Sequence, residues 1–141
     1  MTKILIDSNV LVWALDTSAM EKHNIAKNQI SKLTDSQEAV ISIQNLAEFS
    51  RVSTEKLQPK ADHEIVKQTV SRFKILFGLI YYNADSINDA LTISTFHKVH
   101  FFDALIAATM KQHQITHILT ENETDFAKIP GIKVVNPFKK K

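Results

Sequence analysis

The chain predicts a three-layer α/β/α domain on a central, mostly parallel five-stranded sheet, and three observations carry that expectation. Short apolar runs alternate with longer stretches of helical periodicity, the pattern of strands joined by crossover helices. The apolar runs are continuous rather than alternating, as strands buried on both faces require. Only two glycines and three prolines interrupt 141 residues, so no linker or boundary is visible and residues 1–141 read as one domain.

Residues 3–7 (KILID) are the first expected strand. A short helix is expected after Asn9, and a second over residues 20–33 with Ala26, Ile30 and Leu33 on one face. Residues 38–42 (EAVIS) form the second strand, after which Ser42 is placed to cap a helix carrying Ile43, Leu46, Ala47 and Glu48. Asp62 suits the cap of a long amphipathic helix in which Ile65, Val66, Thr69, Val70, Phe73 and Phe77 recur at helical spacing, with Gly78 expected to end it. Residues 79–83 (LIYYN) read as the third strand and 86–98 as a further helix. Asp103 opens an apolar helix (ALIAATM) and residues 117–120 are the fourth strand. Pro130-Gly131 is a turn, and residues 133–136 (KVVN) are the fifth strand.

With 44% hydrophobic and 23% charged residues, the composition is that of an ordinary globular protein. The absence of cysteine removes disulfides, cysteine nucleophiles and thiolate zinc sites, and it suits a reducing cytoplasm, the expected location. Asp7 and Asn9 interrupt the apolar N-terminal stretch, which lacks both a basic leader and a small-residue cleavage site and so reads as a strand, not a signal peptide. No run approaches the roughly 20 apolar residues that span a bilayer, so no membrane association is expected. A formal charge of +2 is too small to announce nucleic acid, and the basic tail 139–141 is expected to fray.

In a parallel sheet, ligands gather beyond the carboxyl ends of the strands. Asp7 ends the first strand, and Asp125 follows the fourth. Asp103 begins the helix leading into the fourth, and Glu48 lies about a turn into the helix after the second. Fold geometry brings Asp7, Asp103 and Asp125 to one sheet edge, whereas Glu48 reaches it only if its helix face is right. Clustered carboxylates repel and need raised pKa values or bound cations. Hard cations such as Mg²⁺ and Mn²⁺ take oxygen ligands, and two of them about 3.5–4 Å apart assist phosphodiester cleavage. Each acid also has a purely structural reading. Asp7 could form an Asx-turn, Glu48 could pair with Arg51 across a helical turn, Asp103 could be a helix N-cap, and Asp125 could be a solvated loop acid like Glu121 and Glu123.

The flanking residues carry a resemblance. ILIDSNVLV resembles the opening of the PIN-domain family, with Asp7 as first acid and Asn9 two residues on. QNLAEFSRV resembles the helix bearing the family's glutamate, here Glu48, and FFDALIAATM resembles the helix of the third acid, here Asp103. ILTENETDF resembles the fourth block, in which a Ser or Thr ends a strand, an Asn or Asp follows two residues on, and an Asp-Phe pair comes next. The match spans essentially the whole chain and is similar to the VapC-type toxins of bacterial toxin–antitoxin pairs. The resemblance implies an Mg²⁺- or Mn²⁺-dependent endoribonuclease acting on RNA, inhibited by a small antitoxin protein and often homodimeric. Many family members carry an aspartate where this chain has Asn122, which makes Asp125 the candidate fourth acid. On this reading Asp7, Glu48, Asp103 and Asp125 are the catalytic metal ligands, supported by hydrogen bonds from Asn9, Thr120 and Asn122. In-line attack by an activated water would leave 5′-phosphate and 3′-hydroxyl ends.

Arg51 and Lys56, with Lys60, Lys67, Arg72 and Lys74 on or beside the flanking helices, are expected to hold RNA phosphates, a solvated helix face being the alternative. Trp13 reads as core, and Phe101 and Phe102 as either core or base-stacking residues. His97 with His100, and His113 with His117, lack further ligands and read as solvated rather than zinc-binding. The apolar rows over 43–52 and 65–77, where exposed, would seat an amphipathic antitoxin segment. The rival readings are a catalytically inactive PIN-like scaffold that binds RNA or protein, activity on DNA, and a signalling receiver. The receiver would need paired acids after the first strand and an aspartate ending the third, where Tyr82-Asn83 stand instead.

Overall fold

The computed structural model describes residues 2–139. Lys139 Nζ stands 3.7 Å from Glu123, whereas the expected fraying of Lys140 and Lys141 lies outside the described residues. The strands are β1 (Ile4–Ile6), β2 (Ala39–Ser42), β3 (Gly78–Ile80), β4 (His117–Leu119) and β5 (Lys133–Val135), in the order β3-β2-β1-β4-β5. Every neighbouring pair is parallel. The helices are α1 (Ser8–Leu15), α2 (Met20–Asp35), α3 (Ile43–Glu55), α4 (His63–Leu76), α5 (Ala84–His97), α6 (Phe101–Gln112) and α7 (Glu123–Phe126). None of them is long and apolar enough to cross a membrane.

Side chains of one strand alternate between two cores. Leu5, Val40, Ile80 and Ile118 meet α5, α6 and α7, while Ile4, Ile6, Ala39, Ile41 and Leu119 meet α1 to α4. Burial on both faces explains the continuous apolar runs. The helix read from ALIAATM is buried throughout Ala104–Met110, which its apolar sequence suits, and the one polar residue, Thr109, donates its hydroxyl to the Leu105 carbonyl at 2.7 Å. Helix starts follow local capping. Asp62 accepts from the Glu64 N–H at 2.8 Å, and Ser42 with Asn45 forms a reciprocal capping box at the head of α3.

Several boundaries differ from expectation, each for a local reason. Gly78 does not end α4: Phe77 is its C-cap, and Gly78 is the first residue of β3, paired with Val40. β3 stops at Ile80 rather than running to Asn83, because the Asn83 side chain accepts from the Ser86 N–H at 3.0 Å and starts α5 early. Asp7 leaves β1 to cap α1, which begins at Ser8 rather than after Asn9. β5 ends before Asn136, whose Nδ2 turns to Glu123 at 3.3 Å. α6 opens two residues before Asp103, with His100 as cap, so Asp103 sits in the first turn instead of opening the helix. Asp125 is carried on the helical turn α7.

Candidate functional site

The strand order reverses between β1 and β4, the chain running from β1 outward to β2 and β3 before crossing to β4 and β5. A crevice opens at such a reversal beyond the strand carboxyl ends. Asp7 and Thr120 are the first residues after the two strands that flank it.

Asp7 is only 5% exposed and is held on both oxygens. Oδ1 accepts from the Ser8 N–H at 2.8 Å and from Asn45 Nδ2 at 3.3 Å. Oδ2 accepts from Thr120 Oγ1 at 2.7 Å and from Asn9 Nδ2 at 3.4 Å. Burial pushes its pKa up, opposed by the bonds from Thr120 and Ser8. Asn9 also reaches Thr120 Oγ1 at 3.1 Å and accepts from the Glu121 N–H at 3.3 Å, tying α1 to the loop after β4. Asp7 therefore caps α1 through the Ser8 N–H rather than forming the Asx-turn of its structural reading, and it does so at the sheet's reversal point.

Glu48 is half-buried and accepts from Gln44 Nε2 at 2.8 Å, so its hydrogen-bond partner is Gln44 rather than Arg51. Burial raises its pKa, the Gln44 bond lowers it, the Asp7 charge raises it further, and Arg51 acts more weakly in the opposite sense. Asp103 is pushed up to about 7 by burial, by sharing a hydrogen bond with Asp125, and by the charges of Asp7 and Asp125. Asn122 opposes this shift, donating from Nδ2 to Asp103 Oδ2 at 3.2 Å. Asp125 moves the other way: its bond with Asp103 holds it below the usual carboxylate range despite burial, helped by His100 and Lys128.

The charge of Asp7 acts on Glu48 and on Asp103, and Asp103 interacts in turn with Asp125, while Asn9 and Thr120 bond Asp7 and Asn122 bonds Asp103. Among the described residues, no three His, Asp or Glu side chains stand ready to hold a metal ion, and this applies to the histidine pairs as well. His113 Nδ1 contacts the Thr109 carbonyl and His117 Nδ1 the Thr116 hydroxyl, both at 2.9 Å.

Sequence reasoning missed Ser8, Gln44 and Asn45, of which only Asn45 had a readable signal, the Ser42-x-x-Asn45 capping spacing. Glu121, read as solvated, is instead bonded to Lys22 at 2.7 Å and to Trp13 Nε1 at 2.9 Å. Trp13 is half-buried, with its ring against the core and its N–H directed at Glu121. Phe102 is exposed beside a half-buried Phe101.

Other hollows lie away from the acids. One of about 480 Å³ between α3 and α4 is bordered by Arg51, His63, Lys67 and Lys74. It continues into another of about 430 Å³ lined by Ile43, Leu46, Ala47 and Tyr81. A third of about 410 Å³ lies between α2 and α4. None of the four acids lines these three hollows.

Residues 4–132 match the PIN domain, and the chain belongs to that family. Among solved structures, it is similar to a toxin–antitoxin complex from Klebsiella pneumoniae at TM-score 0.70 and 23% identity, covering 97% of this chain and 99% of that one. It is also similar to DNA-bound VapBC from Salmonella typhimurium at TM-score 0.72 and 18% identity, covering 97% and 99%. A sarcin–ricin-loop-cleaving VapC toxin of Mycobacterium tuberculosis aligns at TM-score 0.69 and 17% identity, covering 89% and 94%. No curated protein sequence matches significantly.

Proposed function

We propose that the protein is a divalent-metal-dependent endoribonuclease and the toxin of a toxin–antitoxin pair. The observation that carries this reading is the acidic crevice at the sheet's reversal point, where the charge of Asp7 raises the pKa of both Glu48 and Asp103. Carboxylates that destabilise one another's charge favour a divalent counter-ion, and an all-oxygen donor set suits Mg²⁺ or Mn²⁺. Asp7, Glu48 and Asp103 would hold the ion, with Asp125 joining through its pair with Asp103. Bound there, the ion would supply Lewis-acid stabilisation of charge developing on the phosphate.

The rest falls to the chain itself. Thr120, Asn9 and Asn45 hold Asp7 in one rotamer, and Asn122 orients Asp103. Arg51, beside Glu48, and the exposed Lys56 at the end of α3 would attract RNA phosphate. Family membership and the likeness in fold to toxin–antitoxin complexes support the same class. An antitoxin segment with an apolar, acidic face would suit the basic-rimmed groove between α3 and α4. The second reading is a binding-only scaffold, which the lack of a ready three-ligand cluster among the described residues favours.

The test is cleavage of matched single-stranded RNA and DNA panels with Mg²⁺, Mn²⁺ or EDTA, beside Asp7→Asn. RNA cleavage that needs metal, disappears in the variant and leaves 5′-phosphate ends is expected. Cleavage that persists in EDTA, or products ending in 2′,3′-cyclic phosphate, would sink the proposal. Mn²⁺ binding without cleavage would point to a substrate outside the panel, and neither binding nor cleavage to the scaffold.

A further inference from the structure

Gln44, the second residue of α3, is only 6% exposed. Its Nε2 donates to Glu48 Oε1 at 2.8 Å and to the carbonyl of Phe102, the residue before Asp103, at 2.9 Å. Both partners are acceptors, so only one orientation of the amide works and both of its N–H bonds are used. Oε1 is consequently buried with no hydrogen-bond partner among the described residues. A buried unpaired acceptor is a cost that a methionine or leucine of similar size would not carry. What the amide adds beyond packing is a two-point brace between the glutamate of α3 and the first turn of α6.

We propose that Gln44 is a positioning residue that sets the separation of Glu48 from Asp103, and with it the span into which a divalent cation fits. The inference rests on the metal-dependent reading above. Neither helix needs Gln44 in order to form. α3 is started by the Ser42–Asn45 capping box, and α6 is fixed by its buried apolar face. Loss of the brace therefore frees a carboxylate rather than a helix, leaving Glu48 to sample other rotamers.

The test is Mn²⁺ binding by calorimetry to the wild type, Gln44→Met, Glu48→Gln and the double variant, with RNA cleavage in parallel. Removing a residue that orients a metal ligand typically weakens binding about 10–100-fold, and Gln44→Met is expected to fall in that range. Its kcat should drop while KM for RNA stays unchanged. In the Glu48→Gln background the same substitution should have almost no further effect, since it acts through Glu48. An equal effect in both backgrounds, or none in either, overturns the inference. A wild type that binds no Mn²⁺ overturns the metal reading and this inference together, whereas a wild type that binds while Gln44→Met is unaffected overturns this inference alone. Should Gln44→Met fail to fold, the wild-type Gln44 side-chain amide protons provide a second readout. They should exchange slowly and shift on Mg²⁺ titration, and rapid exchange with no shift would overturn the inference.

Discussion

Asp103 carries the clearest consequence at the scale of a single residue. Its pKa rises from 3.8 to about 7 on folding, so between those values the folded chain binds more protons than the unfolded one. Stability from this group is therefore full in acid and falls as pH rises through that window. Asp7 and Glu48, also raised by burial, add the same sign. Asp125, held low by the same bond that raises Asp103, contributes the opposite sign below the ordinary carboxylate range. Asp103→Asn is expected to raise the melting temperature at neutral pH in EDTA and to flatten its pH dependence, while abolishing metal-dependent cleavage. Thermal unfolding across the window checks the first two expectations, and an unchanged slope would refute them. The four acids were legible because each lies in a distinctive local run such as ILIDSNVLV or FFDALIAATM. Gln44 and Ser8 were not, because their partners are chosen by tertiary contact. Asn45 was half legible: spacing shows its cap, but nothing local shows Nδ2 reaching Asp7 from another layer.

Elements are joined around the crevice by a polar clamp. Lys22 of α2 bonds Glu121 at 2.7 Å and stands 4.7 Å from the ring centre of Trp13 in α1, whose N–H bonds the same carboxylate. Glu121 also gives its backbone N–H to Asn9, so the clamp fixes the segment that carries Thr120 and Asn122. Burial pushes the pKa of Glu121 up, but the bonds from Lys22 and Trp13 outweigh it and hold the group below its usual value. Its contribution is therefore present above the unfolded pKa and lost as pH falls through the folded one, opposite in sign to Asp103. The pair is partly exposed, so Lys22→Met is expected to cost only about 0.5–1 kcal/mol at neutral pH and less in acid. Trp13 is the one tryptophan of the chain, so its emission should shift in the variant, and denaturant unfolding measures the cost. Helix starts were largely legible because capping is a local matter of side-chain oxygen and following N–H, as at Ser42 and Asp62. Gly78 was misread because a glycine after an amphipathic run marks either a helix end or a strand start, and here its pairing with Val40 decides.

Across the whole molecule, alternating periodicity foretold the parallel sheet, since both requirements are set by burial of each strand face. The strand order was not spelled out, because right-handed crossovers limit the topologies without choosing where the chain reverses. That reversal between β1 and β4 assembles the acids from four separate segments and leaves the fold carrying their repulsion. A ligand that binds the folded state alone stabilises it by mass action, about 2.7 kcal/mol at a concentration 100 times its dissociation constant. Mg²⁺ or Mn²⁺ should therefore raise the melting temperature of the wild type. The rise should grow with pH as Asp103 loses its proton, opposing the slope expected in EDTA. Asp7→Asn, lacking the central charge, should melt at the same temperature with or without the ion. Differential scanning calorimetry over an Mn²⁺ titration at two pH values checks both. Stabilisation that is pH-independent and survives Asp7→Asn would place the ion somewhere other than this crevice.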